Sequence, residues 1–515
     1  MLVGQSTAEY ILIKTIIYFF SYLGLLCILY FYLALSIGGV RVIAHPVSIF
    51  IESIGAIEIL WYLVWFLPYR RYLHKQRAAF PPRLSRYERQ RLFRKSLETT
   101  ADIELFTRKW MGGAHLDDIR RENIKEWMLW ALFNREGSPA EDDEELEAYL
   151  FEIEEKLGWA VKPGWGPAKS LRLNFDRFEV THRSLIYYLF VGCVDFATTI
   201  ILMISGFRFY RQPRSAFLKS FPLRPMTLLA PKQSVTPSIS YFFRQHKSTK
   251  HRPVVLAHGV GIGLAPYVPL LLQIPKDIGV LAIEIIPISS RITTALPHAA
   301  DLMREIGDII SHHKLDDFVF VGHSYGTFLT SLFLKSSLLE SRMHSIILLD
   351  PVAVLLHLPD MAYNFTRRKP VEANELQLWW AAQTEPDIAF TLGRRFCWRE
   401  HIVWREDLLS RTTTVIMGGR DTLVNADAIA SYITRGDLAW TWEDREDWRR
   451  SRYSWTGQGL ELVWLEGYDH GQSFLSRVFL PMIVKTIEKH AVLESRLESP
   501  LPPLPEPDAK LDTTE

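Results

Sequence analysis

Asp316-Asp317-Phe318-Val319-Phe320-Val321-Gly322-His323-Ser324-Tyr325-Gly326 is the stretch that decides the fold of this 515-residue chain. Its Val- and Phe-rich run reads as a short buried strand. The run ends in Gly-His-Ser-Tyr-Gly, and Thr327 to Lys335 then reads as a helix. A G-x-S-x-G turn between strand and helix is tight enough to strain its central residue and lift that side chain above the sheet. Gly322 and Gly326 leave the neighbouring backbone room to pack closely. Ser324 is therefore the candidate nucleophile.

The same grammar repeats outward from this turn. Pro253 to Ala257 reads as a strand ending in His258-Gly259-Val260. Gly279 to Ile286 is the next strand, and Pro297 to His313 is helical. His344 to Leu349 ends in Asp350-Pro351, and Thr412 to Met417 ends in Gly418-Gly419-Arg420-Asp421. Leu460 to Leu465 leads to Gly467-Tyr468-Asp469-His470-Gly471. Strands alternating with helices predict an α/β fold, a mainly parallel sheet with helices on both faces.

Three strand ends carry reactive groups in the order Ser, Asp, His. A serine is weakly nucleophilic unless a base takes its proton, and His470 is the natural base for Ser324. A carboxylate must hold that imidazole in one tautomer. Asp421, after a strand and before a helix, is favoured, and Asp350, which also ends a strand, is the alternative acid. An oxyanion formed at Ser324 needs N–H donors, for which the amides of Tyr325 and Val260 are the candidates. Asp469 adjoins His470 too closely in the chain to orient its ring. His323 and His258 read as packing and bracing residues, and His298, His312 and His313 as members of a solvated helix.

From about Pro253 to Lys489 the sequence resembles the α/β-hydrolase family. The matching features are the early His-Gly, Gly322 to Gly326, Gly419-Arg420-Asp421 and Asp469-His470-Gly471. The resemblance implies an α/β-hydrolase fold and a serine hydrolase of lipase or esterase type that needs no metal or organic cofactor. Its expected partners are a lipophilic ester substrate and membrane lipid, not nucleic acid. Acyl transfer by the same three residues, or a catalytically inactive scaffold, are the alternatives. The segment between Asp350 and Arg411 falls where this family places its cap. It is aromatic (Trp379, Trp380, Phe390, Phe396, Trp398, Trp404), as suits an acyl chain, although packing of the cap accounts for many such residues. A second insertion, Arg435 to Gly459, is rich in Trp and charge.

The N-terminal half reads differently. Ile16 to Ile37 carries no charge and is long enough to cross a bilayer. Val47 to Leu67 is broken only by Glu52 and Glu58 and ends among Trp61, Tyr62 and Trp65, as at a lipid–water boundary. The apolar stretch is too long for a signal peptide. A basic flank from Arg70 to Lys95 follows, which the positive-inside tendency places in the cytosol. Ser96 to Lys156 looks helical, with Ile124, Trp127, Met128, Ala131 and Leu132 at helical spacing. The acidic block Glu141 to Glu155 reads as an amphipathic helix, not a metal site. Ser184 to Ser205 is a third apolar run, interrupted by Asp195. An acid within a span is costly unless paired, so a helix packed on protein or lying in the interface is favoured over a third span.

The expected organisation is thus 1–70 membrane-anchoring helices and 71–230 a helical membrane-proximal region holding the apolar helix 184–205. The α/β-hydrolase domain covers 231–490 with a cap at 351–411, and 491–515 is a disordered tail. The membrane-anchored half looks similar to that of fungal membrane-associated members of the family. An intracellular membrane such as the endoplasmic reticulum is the expected location. A net charge of +1 excludes global attraction to nucleic acid, and three scattered cysteines exclude a disulfide framework or a zinc site.

Overall fold

The computed structural model describes residues 3–139 and 142–493. Nine strands form one sheet, in the order β2-β1-β3-β5-β4-β6-β7-β8-β9. In chain order they are β1 Arg208–Arg211, β2 Lys232–Gln233, β3 Ser240–Arg244, β4 Val254–Ala257, β5 Val280–Glu284, β6 Phe318–His323, β7 Met343–Leu349, β8 Thr413–Gly418 and β9 Leu460–Leu465. β3 runs antiparallel to both β1 and β5, and from β5 to β9 every pairing is parallel. With helices on both faces this is the α/β-hydrolase fold.

The central strands are buried on both faces, which is why they are continuous apolar runs and not alternating ones. Phe318 and Phe320 enter one core while Val319 and Val321 enter the other, following the two-residue period of a strand. The strand order turns back on itself around β4, which lies between β5 and β6. In open α/β sheets the crevice at such a point, beyond the strands' carboxyl ends, is where ligands bind. The loops after β4 and β6 carry Val260 and Ser324 to that place.

The sheet begins upstream of residue 231, because Arg208–Arg211 pairs with β3 and so joins the domain's edge. Between β7 and β8 lie short helices, among them Pro359–Thr366, Ala373–Leu378, Pro386–Phe390 and Trp398–His401. The expectation of a disordered tail from 491 lies, from 494 onward, outside the described residues. Val492 and Leu493 still bond the main chain, bridging to His251 and Lys250.

Three helices are long and apolar enough to cross a membrane: α1 (Thr7–Ile43), α2 (Pro46–Lys75) and α3 (Leu185–Ile204). α1 opens with a capping box between Ser6 and Glu9. It bends at Tyr22, whose φ of −119° is not helical. The Phe20 carbonyl next to that bend accepts the Ser184 amide at 3.0 Å. Glu58 of α2 caps α3 by accepting the Leu185 and Ile186 amides at 2.8 and 3.0 Å. Asp195, midway along α3, faces the α/β domain and pairs with Arg224 at 3.1 Å and Arg291 at 2.9 Å. The opposite face of α3 exposes Leu189, Phe190, Phe196, Ile200 and Ile204.

Helices Arg86–Glu98, Ile103–Trp110, Arg121–Phe133 and Asp143–Leu157 share a separate core. Ile124, Met128, Ala131 and Leu132 enter it from one helix, and Leu146, Tyr149, Leu150 and Ile153 from another. Several acids of the last helix are paired: Glu145 with Arg89 at 2.6 Å, Glu152 with Arg94 at 3.2 Å and Glu154 with Arg121 at 2.6 Å. Part of the basic flank is therefore committed to an acidic neighbour in the same chain.

Candidate active site

Ser324 occupies the turn after β6 with φ +50°, the left-handed region that a residue with a Cβ rarely adopts. The turn is possible because Gly326 lies against β4: a Cβ there would come within 2.2 Å of the Ala257 carbonyl oxygen. Ser324 is 8% exposed, so little more than its hydroxyl side reaches the surface of the site.

His470, in the loop after β9, places Nε2 2.8 Å from Ser324 Oγ and Nδ1 2.7 Å from Asp421 Oδ2. The Asp421 side chain is completely buried. Its other oxygen accepts the Leu423 and Val424 amides at 2.8 and 3.2 Å. A carboxylate so fixed can receive only the Nδ1 proton, which leaves Nε2 as the acceptor facing the serine. Burial pushes the His470 proton affinity down, but Asp421 and then Asp350 outweigh it and hold the imidazole above its ordinary range.

The alternative acid, Asp350, is used differently. Its carboxylate accepts the Gly418 amide at 2.9 Å and the Gly471 amide at 2.7 Å, tying the end of β8 to the His470 loop. Burial would raise it, but the neighbouring His323 and His470 and the Gly418 amide prevail and hold it down to about 2. Asp469 likewise organises main chain: it accepts from the His470 amide at 2.7 Å and from the Thr422 amide at 2.9 Å. Its second oxygen accepts from Asn374 Nδ2 at 2.7 Å, which attaches the segment between β7 and β8 to the loops of Asp421 and His470.

The loop after β4 is braced from two sides. His258 Nε2 accepts the Ile285 amide at 2.9 Å, so Nδ1 carries the proton and donates to the Gly259 carbonyl at 2.7 Å. Tyr267 Oη accepts the Gly259 amide at 2.7 Å and therefore donates to His323 Nδ1 at 2.6 Å. Burial pushes His323 down to about 4, so it stays neutral at pH 7. Gly259 passes so close to the turn that a Cβ would meet Ser324 Cβ and His323 Nδ1 at 2.8 Å. The Gly259 and Gly261 amides are engaged by Tyr267 and by the Ile288 carbonyl. The Val260 amide between them has no partner among the described residues, and the Tyr325 amide opens the helical turn after Ser324.

Sequence reading singled out Ser324, His470 and Asp421, and the structure brings the three into one hydrogen-bonded line. It missed Tyr267 and Asn374, which sit in no motif. An apolar run holding one tyrosine just after a Gly-rich loop was the available signal for Tyr267. Of the three helix histidines, His313 is not solvated: it stacks on Phe243 and bonds the Tyr241 hydroxyl at 3.0 Å.

The rim of the site is occupied by Val3, Gly4 and Gln5, ahead of α1. Asn374 donates its amide to the Gly4 carbonyl at 3.1 Å, Gln472 Nε2 donates to the Val3 carbonyl at 3.2 Å, and Arg420 bonds Gln5. Tyr10, Ile13, Ile17 and Phe20 of α1 then pack with Ile262, Trp379 and Trp380. Several aromatic residues of the segment between β7 and β8 thus serve packing: Trp398 donates to the Ala131 carbonyl at 2.9 Å, and Phe396 stacks on His401.

No family model matches the sequence, and no curated protein matches it. Among solved structures the chain is similar to a membrane phospholipase A described as a bacterial virulence factor, at 11% identity over 59% of this chain and 94% of that one, with a TM-score of 0.36. It is similar to a putative lipase of Acinetobacter baumannii at 12% identity over 61% and 98%, TM-score 0.33. It is also similar to the naproxen esterase of Bacillus subtilis at 14% identity over 48% and 86%, TM-score 0.33. These likenesses are distant, and no residue's role follows from them.

Proposed function

We propose that this protein is a membrane-anchored serine hydrolase of lipase or esterase type that cleaves a lipophilic ester through an acyl-enzyme on Ser324. The observation that carries the reading is the continuous line Ser324 Oγ–His470–Asp421 Oδ2, with contacts of 2.8 and 2.7 Å, at a serine of φ +50°. In the first half-reaction Ser324 Oγ attacks the ester carbonyl carbon as His470 Nε2 takes its proton. Negative charge gathers on the carbonyl oxygen, where the Val260 and Tyr325 amides donate to it. Collapse breaks the bond to the alcohol, and His470 returns the proton to the departing oxygen. Water then attacks the acyl carbon with His470 again as base, and the carboxylic acid leaves.

The lipophilic class follows from setting. α1 supplies both the apolar anchor and residues that pack beside the loop of Val260. The first test is labelling by a fluorophosphonate probe in detergent-solubilised membranes. Wild type labels, and Ser324→Ala and His470→Ala do not. A wild-type protein that stays folded and unlabelled, with a panel of lipid esters also untouched, overturns the reading.

A further inference from the structure

A large cavity lies away from Ser324. It has a volume of about 1270 Å³ and opens between α1, α2, the segment before α3 and the helices between β7 and β8. Neither Ser324 nor His470 is on its wall. Small-molecule pockets hold roughly 300–1,000 Å³, so this one suits a longer occupant.

Its two ends differ in chemistry. Along the groove between the first two helices the wall is apolar, made by Ile59 and by the exposed Leu25, Ile28 and Leu63. Toward the α/β domain it carries Lys14, Arg70, Arg177, Arg367, Arg368 and Lys369. Three carboxylates also line the cavity, and each is already engaged. Glu58 takes the two amides at the start of α3. Asp176 pairs with Arg367 at 2.8 Å, and Glu179 accepts from Trp379 at 3.4 Å. Arg368 pairs with Glu375 at 3.4 Å. Lys14, Arg70, Arg177 and Lys369 have no carboxylate partner among the described residues. His182, also on the wall, holds a buried Nδ1 without a hydrogen-bond partner among them.

Arg177 and Lys369 are exposed and Arg70 is half-buried, so cations free of carboxylates stand beside an apolar wall where an anionic head can pair with them. Lys14 and Ile28 are fourteen positions apart on α1, about 21 Å along a helix, the reach of an extended acyl chain. We infer that this cavity is a second lipid site, holding a long-chain acyl lipid by its anionic head at Arg70, Arg177 and Lys369 and by its chain between α1 and α2. The head is a carboxylate or a phosphate. The site is separate from Ser324 and does not rest on the hydrolase reading.

The test uses the full chain in neutral detergent with three photoactivatable probes of one chain length: a fatty acid, a phosphatidic acid and a diacylglycerol. Wild type captures one or both anionic probes at least tenfold more tightly than the neutral one, and less so as salt rises. The stronger of the two identifies the head. The double variant Arg177→Gln/Lys369→Gln loses that preference, while melting in detergent reports its fold. Leu63→Trp, which keeps every charge and fills the apolar end, lowers capture of the anionic probes at least tenfold. Equal capture of anionic and neutral probes by wild type overturns the proposal. Unchanged capture by Leu63→Trp overturns it as well, and does so even if the double variant does not fold.

Discussion

His470 can take the Ser324 proton only when its imidazole is neutral, and this sets a pH dependence. Asp421 and Asp350 hold the imidazolium form against the opposing effect of burial, so the proton leaves at a pH above the ordinary histidine value of about 6.5. Activity on an ester is therefore expected to rise with pH through a midpoint above that value. Asp421→Asn removes the larger support, so the limb moves to lower pH while kcat drops roughly 10²–10⁴-fold. A pH–rate profile of both proteins checks this; an unmoved limb in the variant shows that another group is titrating. Tyr267 is a second residue with a defined consequence. Its hydroxyl is the partner of the Gly259 amide and of His323 Nδ1. Tyr267→Phe leaves a buried amide unsatisfied, a cost of about 1–3 kcal/mol. It also frees the loop that presents the Val260 amide, so kcat should fall more than KM rises. Thermal melting and steady-state kinetics separate the two effects. If stability falls while kcat holds, the loop does not depend on that brace.

Among the elements, α3 shows what makes a mid-helix acid tolerable. Asp195 faces Arg224 and Arg291, and Arg224 also bonds Glu284 at 2.9 Å. Asp195→Ala leaves two buried guanidinium groups sharing less charge, and removing one partner of a buried pair costs about 3–5 kcal/mol. Unfolding in detergent should register that loss, whereas Glu144→Ala, at an exposed ion pair, should change stability by less than about 1 kcal/mol. The pairing also explains what sequence could and could not disclose here. The polar interruption at Asp195 is visible, but its partners lie 29 and 96 positions away and belong to no local pattern. Strand ends are legible for the opposite reason: Ser324, Asp421 and His470 each follow an apolar run and a turn signal, so local chemistry marks them. Helical spacing likewise marks the faces of Arg121–Phe133 and Asp143–Leu157 that enter their shared core. The short β1 and β2 carry no alternation; β2 pairs with β1 and β1 with β3, so their membership in the sheet depends on contacts distant in sequence. Ion pairing hides in the same way. The cations of Arg86–Glu98 look like a lipid-facing flank until Asp143–Leu157 is set beside them.

For the whole molecule, the packing of the three candidate spans bears on which side of a membrane the proposed site would face. α1 and α2 pack side by side and are joined by a short turn at Ala44 and His45, so the start of α1 and the end of α2 lie together. The α/β domain is attached at that shared end: Asn374 bonds Gly4, Trp61 donates to the Arg183 carbonyl at 3.1 Å, and Tyr69 donates to Asp387 at 2.9 Å. α3 does not carry the chain away from it. Its first residues are held by Glu58, its middle by Arg224 and Arg291, and its Leu202 lies in the sheet's own core. Both ends of α3 therefore stay with one domain while its outer face, with Phe190 and Ile204, is left exposed and apolar. On the proposed anchoring, a hairpin that crosses and a helix that lies along the surface predict His45 on one side of the membrane, and Lys75 and the second insertion on the other. Single cysteines at His45, Lys75 and Ser454, in a chain whose Cys27, Cys193 and Cys397 are replaced, can be labelled in sealed vesicles with an impermeant maleimide. Lys75→Cys and Ser454→Cys should react from the same side and His45→Cys only after the vesicles are opened, or the reverse in inverted vesicles. Ser454→Cys reacting together with His45→Cys and opposite Lys75→Cys would mean that α3 crosses, and the packing of Asp195 against Arg224 could not then persist in the bilayer.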